Sequence, residues 1–232
     1  MDDMHFKPKH TAIILAGLLL TAALQARAEG ELMVMPATTR IFHHYDQKVT
    51  LKNVGDAPLY LSIFLQKVMN PGIRPEKKVD LGELDHPGVL ASPDKVTLGP
   101  NQTREVTLTS LAEPESEAVY RLYVVPVRSL KVVDAPKDKI TAPMSVAIGY
   151  GVLVHHLPPP AKQRTGWTHR CEQHGLTLEN TGNVREAFTD VYWQSGQPPR
   201  SVSLYPGTPQ HFDTTRMTLS VDGKPQTLEC PQ

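Results

Sequence analysis

The chain has 232 residues, with 24 Lys plus Arg balanced by 24 Asp plus Glu, and only two cysteines. Balanced charge excludes nucleic-acid binding driven by a bulk basic field, and 40% hydrophobic residues with 21% charged exclude global disorder. Two cysteines are too few for a disulfide scaffold or a Cys-rich zinc fold, and 21 prolines against 15 glycines work against long helices, since each internal proline costs about 3 kcal/mol.

The first element reads as an address. Lys7, Lys9 and His10 precede an apolar run from Thr11 to Leu24, which ends at Ala26-Arg27-Ala28. A charged n-region, a short apolar core and a small-residue cleavage site make 1–28 a secretory signal peptide. The apolar run falls short of the roughly 20 residues that span a bilayer. Cleavage before Glu29 removes Lys7, Lys9, Arg27, Asp2 and Asp3, leaving a mature formal charge of minus one. Export also places Cys171 and Cys230 in an oxidising compartment, where a disulfide between them is expected.

The mature chain reads as strands. Runs that alternate or are rich in β-branched and aromatic residues span Leu32–Met35, Lys48–Lys52, Leu59–Val68, Lys95–Leu98, Arg104–Thr109, Val119–Val127 and Ser145–His155. Further runs follow at Leu176–Glu179, Ala187–Trp193, Ser201–Tyr205, Met217–Val221 and Gln226–Cys230. Turn residues separate them, among them Asn53-Val54-Gly55-Asp56, Asn180-Thr181-Gly182-Asn183 and Asp222-Gly223. The last pair, between two strand-like runs, predicts a type I′ hairpin. Short strands without a 3.6-residue period predict an all-β fold of sandwiches. Pro158-Pro159-Pro160 cannot join a hydrogen-bonded ladder and marks a stiff boundary. Two domains are therefore expected, 29–157 and 158–232. The second is short for an Ig-like sandwich, and a Cys171–Cys230 bond would offset its small core.

Five segments in this order carry a resemblance. They are Lys67–Gly72, Gly88–Leu98, Val119–Tyr123, Ser145 through Pro158, and Asn180–Arg185. Together with the leader and the proline elbow, they resemble the periplasmic pilus-assembly chaperones of the PapD-like superfamily, in the alternate subgroup that serves alpha-type, class 5 fimbriae. The resemblance covers Leu32 to about Val191. It implies two Ig-like β-sandwich domains in an L-shaped arrangement, the second smaller. It also implies a periplasmic, non-enzymatic chaperone that lends a β-strand to major and minor pilin subunits and hands them to an outer-membrane usher. Cofactors, nucleic acid and small-molecule substrates have no part in that activity. Strand donation of this kind is a recognised mode of peptide binding.

The residues suit that role. Met144, Val146, Ile148, Tyr150 and Val152 lie at even spacing, so they share one face of a strand, while Ser145, Ala147, Gly149 and Gly151 between them are small. The resemblance makes this face the donor strand; the alternative is that these residues fill their own domain's core. A charged loop with two prolines, Ser129 to Pro143, precedes it. The family's cleft holds two basic residues that grip the C-terminal carboxylate of the pilin. Arg40 matches the first, in Thr38-Thr39-Arg40-Ile41-Phe42, and arginine binds a carboxylate bidentately. The second falls near Leu153, which cannot bind an anion. His155 is the nearest candidate, followed by His156; they lie on opposite faces, and a histidine would make anchoring pH-sensitive.

Other chemistries find less support. His169, Cys171 and His174 lack the spacing of a standard zinc site, and Cys171 has a disulfide partner to hand. No G-x-S-x-G elbow, phosphate loop or dinucleotide fingerprint stands in the chain. The alternative function is a secreted structural pilin or adhesive sandwich, but Glu29–Met35 is short for a pilin's donated N-terminal extension.

Overall fold

A computed structural model of the chain describes residues 30–127, 149–172 and 175–231. Its first part contains β1 (Leu32–Met35), β2 (Thr38–Phe42), β3 (Gln47–Asn53), β4 (Leu59–Val68), β5 (Lys78–Asp80), β6 (Val89–Ser92), β7 (Lys95–Leu98), β8 (Thr103–Ser110), β9 (Ala118–Pro126) and β10 (Tyr150–Leu157). One sheet runs β1-β3-β8-β6. The other runs β2-β10-β9-β4, with β5 and β7 both on the far edge of β4. All pairings are antiparallel except β2 with β10. The second part contains β11 (Trp167–Glu172), β12 (Gly175–Asn180), β13 (Glu186–Tyr192), β14 (Arg200–Leu204), β15 (Gln210–Phe212), β16 (Arg216–Val221) and β17 (Lys224–Glu229). These form the sheets β11-β12-β15 and β14-β13-β16-β17. The architecture is all-β, two sandwiches joined through the proline run.

Alternation explains the layers. Along β4, Leu59, Leu61, Ile63 and Leu65 are buried, while Tyr60 and Phe64 are exposed. The first core joins these leucines to Ile41, Val49, Leu51, Val106, Leu108, Leu122, Val124, Val152 and Val154. A separate core in the second sandwich gathers Leu176, Leu178, Phe188, Val191, Leu204, Met217 and Leu219. Val68, Val119 and Tyr205 form a third cluster with Leu153, where the sandwiches meet.

Two Asn-x-Gly turns do matching work in the two sandwiches. In the first, Asn53 Nδ2 donates to the Ala57, Leu98 and Gly99 carbonyls while its Oδ1 accepts from Gly55 N–H. In the second, Asn180 Nδ2 donates to the Val184 and Leu204 carbonyls and its Oδ1 accepts from Gly182 N–H. Each amide satisfies backbone groups that the turn would otherwise bury unpaired. The Asp222-Gly223 hairpin has φ of 49° and 73° at its two central residues, as a type I′ turn requires.

Several strands depart from the pattern in the sequence. β2, β5, β6, β11 and β15 carry no run of alternating apolar residues. β2 is held by parallel pairing with β10, from Leu153↔Thr38 to Leu157↔Phe42, and that same pairing carries β10 two residues beyond His155. The expected strand from Ser145 begins, within the described residues, at Tyr150; Ser145 to Ile148 lie outside them.

The sandwiches are joined by more than the chain. The β4–β5 loop reaches across to the second sandwich at Gly72, which has φ +87° and no room for a side chain, because a Cβ would collide with the Ser203 carbonyl oxygen. Asn183, buried, accepts from Arg164 N–H through Oδ1 and donates to the Glu115 and Lys162 carbonyls. The Cys171–Cys230 disulfide ties β11 to the end of β17, with Cα atoms 5.5 Å apart.

Candidate functional site

The ladder of β10 is half finished. From Leu153 onward the strand lies between β9 and β2, and Leu153 N–H donates to the Ala37 carbonyl at 2.9 Å. Before Leu153 it pairs, among the described residues, with β9 alone, from Tyr150↔Val124 to Val152↔Leu122. Backbone groups alternate in direction along a strand. With Leu153 facing β2, the N–H and C=O of Gly151 face the side on which β2 has not begun. This is an open sheet edge of the kind that accepts an added strand.

Tyr150 and Val152 share the sandwich-facing side of β10 and meet different surroundings. Tyr150 is 41% exposed at the open end of the sandwich, whereas Val152 is 1% exposed and packed in the first core. Val152, a member of the expected donor set, is covered by its own domain. Met144, Val146 and Ile148 lie outside the described residues.

The opposite face of β10 lines a cavity of about 310 Å³ between the sandwiches. Thr38 and Arg40 reach it from β2, Leu153 and His155 from β10, Glu117 from the start of β9, and Val184 and Arg185 from the turn before β13. His155 pairs directly with Arg40 across the parallel ladder, which sets the two side chains next to each other on one face. Arg40 stands within β2.

Glu117 organises the cavity floor. Its side chain is 3% exposed, Oε1 lies 2.6 Å from His155 Nδ1, and Oε2 accepts from Arg185 N–H at 2.6 Å. Its own N–H donates to the Asn183 carbonyl. A buried carboxylate needs such partners to offset lost hydration, and here they come from both sandwiches. The His155 ring also lies nearly parallel to the Tyr205 ring of the second sandwich, 6.3 Å away. Neither Arg40 nor Arg185 has a carboxylate partner among the described residues. The cavity is thus bordered by two arginines with no ion-pair partner among the described residues, at the foot of the β10 edge, with Glu117 as its one lining carboxylate.

Arg185 escaped identification from the sequence. It lies in the other sandwich from Arg40, and only the segment Asn180-Thr181-Gly182-Asn183-Val184-Arg185 signalled the region. The fold explains that segment residue by residue. Asn180 closes the turn and Asn183 bridges the sandwiches. At Gly182 a Cβ would strike the Arg164 carbonyl oxygen.

His156 points the other way, into the first sandwich. It is 1% exposed, and its Nε2 lies 2.8 Å from Ser110 Oγ, which donates its proton to the Ala112 carbonyl and also lies 3.2 Å from His43 Nδ1. Burial, with the nearby His43 and Lys67, pushes the His156 imidazole down to about 4. The unfolded chain, with the ordinary imidazole value near 6.5, then binds more protons between pH 6.5 and 4. Stability is fully present above about pH 6.5 and is lost as pH falls through 4, by about 2 kcal/mol after discounting for solvent screening. Thermal melts at pH 7 and pH 4.5 are expected to differ, and His156→Leu is expected to reduce the difference.

Among the described residues no group of three His, Cys, Asp or Glu side chains is arranged to hold a metal ion. His174 lies outside them.

No protein-family model matches the chain. Among curated proteins it is similar to a CFA/I fimbrial subunit of Escherichia coli, 28% identical over 187 residues, which cover 79% of this chain and 76% of that protein. Among solved structures it is similar to a chain of the chaperone–tip adhesin complex of CFA/I fimbriae biogenesis, at TM-score 0.67 and 21% identity, covering 87% of this chain and 100% of that one. It is also similar to the class 5 fimbriae chaperone CfaA, at TM-score 0.65 and 23% identity, with the same coverage. The chain has the two-sandwich fold seen in these fimbrial chaperone structures.

Proposed function

We propose that the chain is a periplasmic chaperone, not an enzyme, that stabilises fimbrial subunits by lending them a β-strand and delivers them to an outer-membrane usher. The observation that carries this reading is the open edge of β10 leading directly into a cavity bordered by Arg40 and Arg185, neither of which has an ion-pair partner among the described residues. An incomplete pilin sandwich presents unpaired backbone groups and an apolar groove. The edge at Gly151 supplies backbone partners, and Tyr150, with Met144, Val146 and Ile148 before it, supplies apolar side chains. Each such side chain, once buried, is worth roughly 1.5–3 kcal/mol before ordering costs. Arg40 and His155, with Arg185 beside them, hold the terminal carboxylate of the pilin and so set the register of the added strand. Residues 1–28 direct export and are removed, 29–157 form the chaperone domain and 158–232 the smaller sandwich.

The name of the curated relative, that of a fimbrial component, favours a second reading as a structural pilin. The two sandwiches, each with its own closed core, favour the chaperone, because a pilin awaiting a strand leaves its groove uncovered.

Arg40→Ala tests the assignment. Losing a charge-assisted contact costs on the order of 1.5–3 kcal/mol of binding, so recovery of co-expressed pilin from periplasmic extract should drop by tenfold or more. The exposed Arg40 side chain leaves the free protein's melting unchanged. Undiminished recovery would move the anchor away from Arg40.

A further inference from the structure

We propose that His155 binds the pilin carboxylate only as imidazolium, so that the cavity takes up a proton with the chain end it holds. This rests on the reading of the cavity as the carboxylate anchor and adds a proton to it.

The hydrogen bonds around the ring carry the inference. Glu117 Oε1 lies 2.6 Å from His155 Nδ1 and, as a carboxylate, can only accept. Nδ1 must therefore carry a proton, and in the neutral ring Nε2 is left as a bare acceptor. Nε2 has no hydrogen-bond partner among the described residues and is not sealed in a buried, unsatisfied position. His155 borders the cavity, so a carboxylate arriving there meets a lone pair when the ring is neutral. A proton taken from solvent onto Nε2 turns that acceptor into a charged donor, with Nδ1–H still on Glu117. Glu117 is thus the positioning residue. It fixes the tautomer and aims the titrating nitrogen at the ligand.

The charged groups that border the ring come from several elements. Arg40 lies beside it on β2, Glu117 stands just before β9 and Arg185 lies in the turn before β13. From the end of β14 comes Tyr205, whose phenol burial pushes up and keeps neutral. An entering carboxylate adds a negative charge beside the ring, and by linkage the protonated ring then holds the carboxylate more tightly.

The test uses the mature chain and two probes, N-acetylglycine, which ends in a carboxylate, and N-acetylglycinamide, which does not. The His155 ring resonances, assigned by their loss in His155→Gln, are followed through a pH titration by NMR. N-acetylglycine is expected to raise the His155 midpoint by about half a pH unit or more, while the amide leaves it in place. N-acetylglycine binding should weaken from pH 5.5 to 8 in the wild type and stay level in His155→Gln. If N-acetylglycine moves the resonances around Arg40 and Arg185 but the His155 midpoint is the same with both probes, the proposal fails and the arginine anchor stands. If it moves none of them, the anchor reading fails and the proposal with it.

Discussion

Val152→Asp is expected to unfold the first sandwich, whereas Tyr150→Asp, two residues away on the same face, is expected to leave it folded. Val152 is 1% exposed among Ile41, Leu122 and Val154. A carboxylate there has no partner, and burying it costs several kcal/mol. Against a typical domain stability of about 5–15 kcal/mol, that is enough to deplete the native state. Tyr150 is 41% exposed where the sandwich opens. An aspartate there stays hydrated, and the melting curve should shift by no more than about 1 kcal/mol equivalent. In the complex the same aspartate would be carried into the apolar groove of the pilin, so Tyr150→Asp should lose pilin recovery while keeping its fold. Melting of each free variant, paired with pilin recovery from periplasmic extract, separates the two effects. Full recovery with Tyr150→Asp would remove Tyr150 from the donated strand, and a cooperative, wild-type-like melt for Val152→Asp would show that the position is not sealed.

The same pair of residues shows what the sequence could convey. Even spacing from Met144 to Val152 identifies a common face, because side chains alternate strictly along a strand. It cannot say where along that face the chain's own core ends, since this depends on how far β2 and the opposite sheet extend beside β10. Long alternating runs such as Leu59–Val68 were legible because each buries enough apolar surface to declare itself. β2 was not. Only Ile41 of its five residues is fully buried, and its place comes from a parallel pairing with a strand more than a hundred positions later in sequence. Arg40 was singled out by resemblance, whereas Arg185, which borders the same cavity, belongs to the other sandwich. His155 and His156 were expected on opposite faces, and they are, one against Glu117 and one against Ser110. Which histidine faced the cavity followed only from the register of β10.

Breaking the Cys171–Cys230 bond should unfold the second sandwich and spare the first. The bond closes a loop with a sequence separation of 59. On the chain-entropy model, a loop of that length restricts the unfolded state by about 4 kcal/mol. The sandwich it closes is small, and a domain of about 60 residues buries a smaller share of its surface than a larger one does. Its core rests on few large side chains, with Phe188 edge-on to Trp167 and Phe212 edge-on to Trp193. Cys171 also lies on β11, an edge strand with mostly exposed side chains, held by β12 on one side only. Without the bond, little beyond that ladder and Trp167 keeps β11 in place. The first sandwich contains no cysteine and keeps its separate core. Calorimetry of the Cys171→Ser, Cys230→Ser double variant should therefore show a second-sandwich transition lowered by well over ten degrees, since about 1 kcal/mol moves the midpoint of so small a domain by roughly 4–8 °C. The first-sandwich transition should move less, by the loss of the contacts at Glu117, Asn183 and Gly72. The Glu117 contacts belong to the cavity around Arg40 and His155, and the second sandwich supplies Val184 and Arg185 to its lining, so pilin recovery should fall even though every proposed donor residue is intact. A single unshifted transition would mean that packing against the first sandwich, rather than the disulfide, holds the second one together.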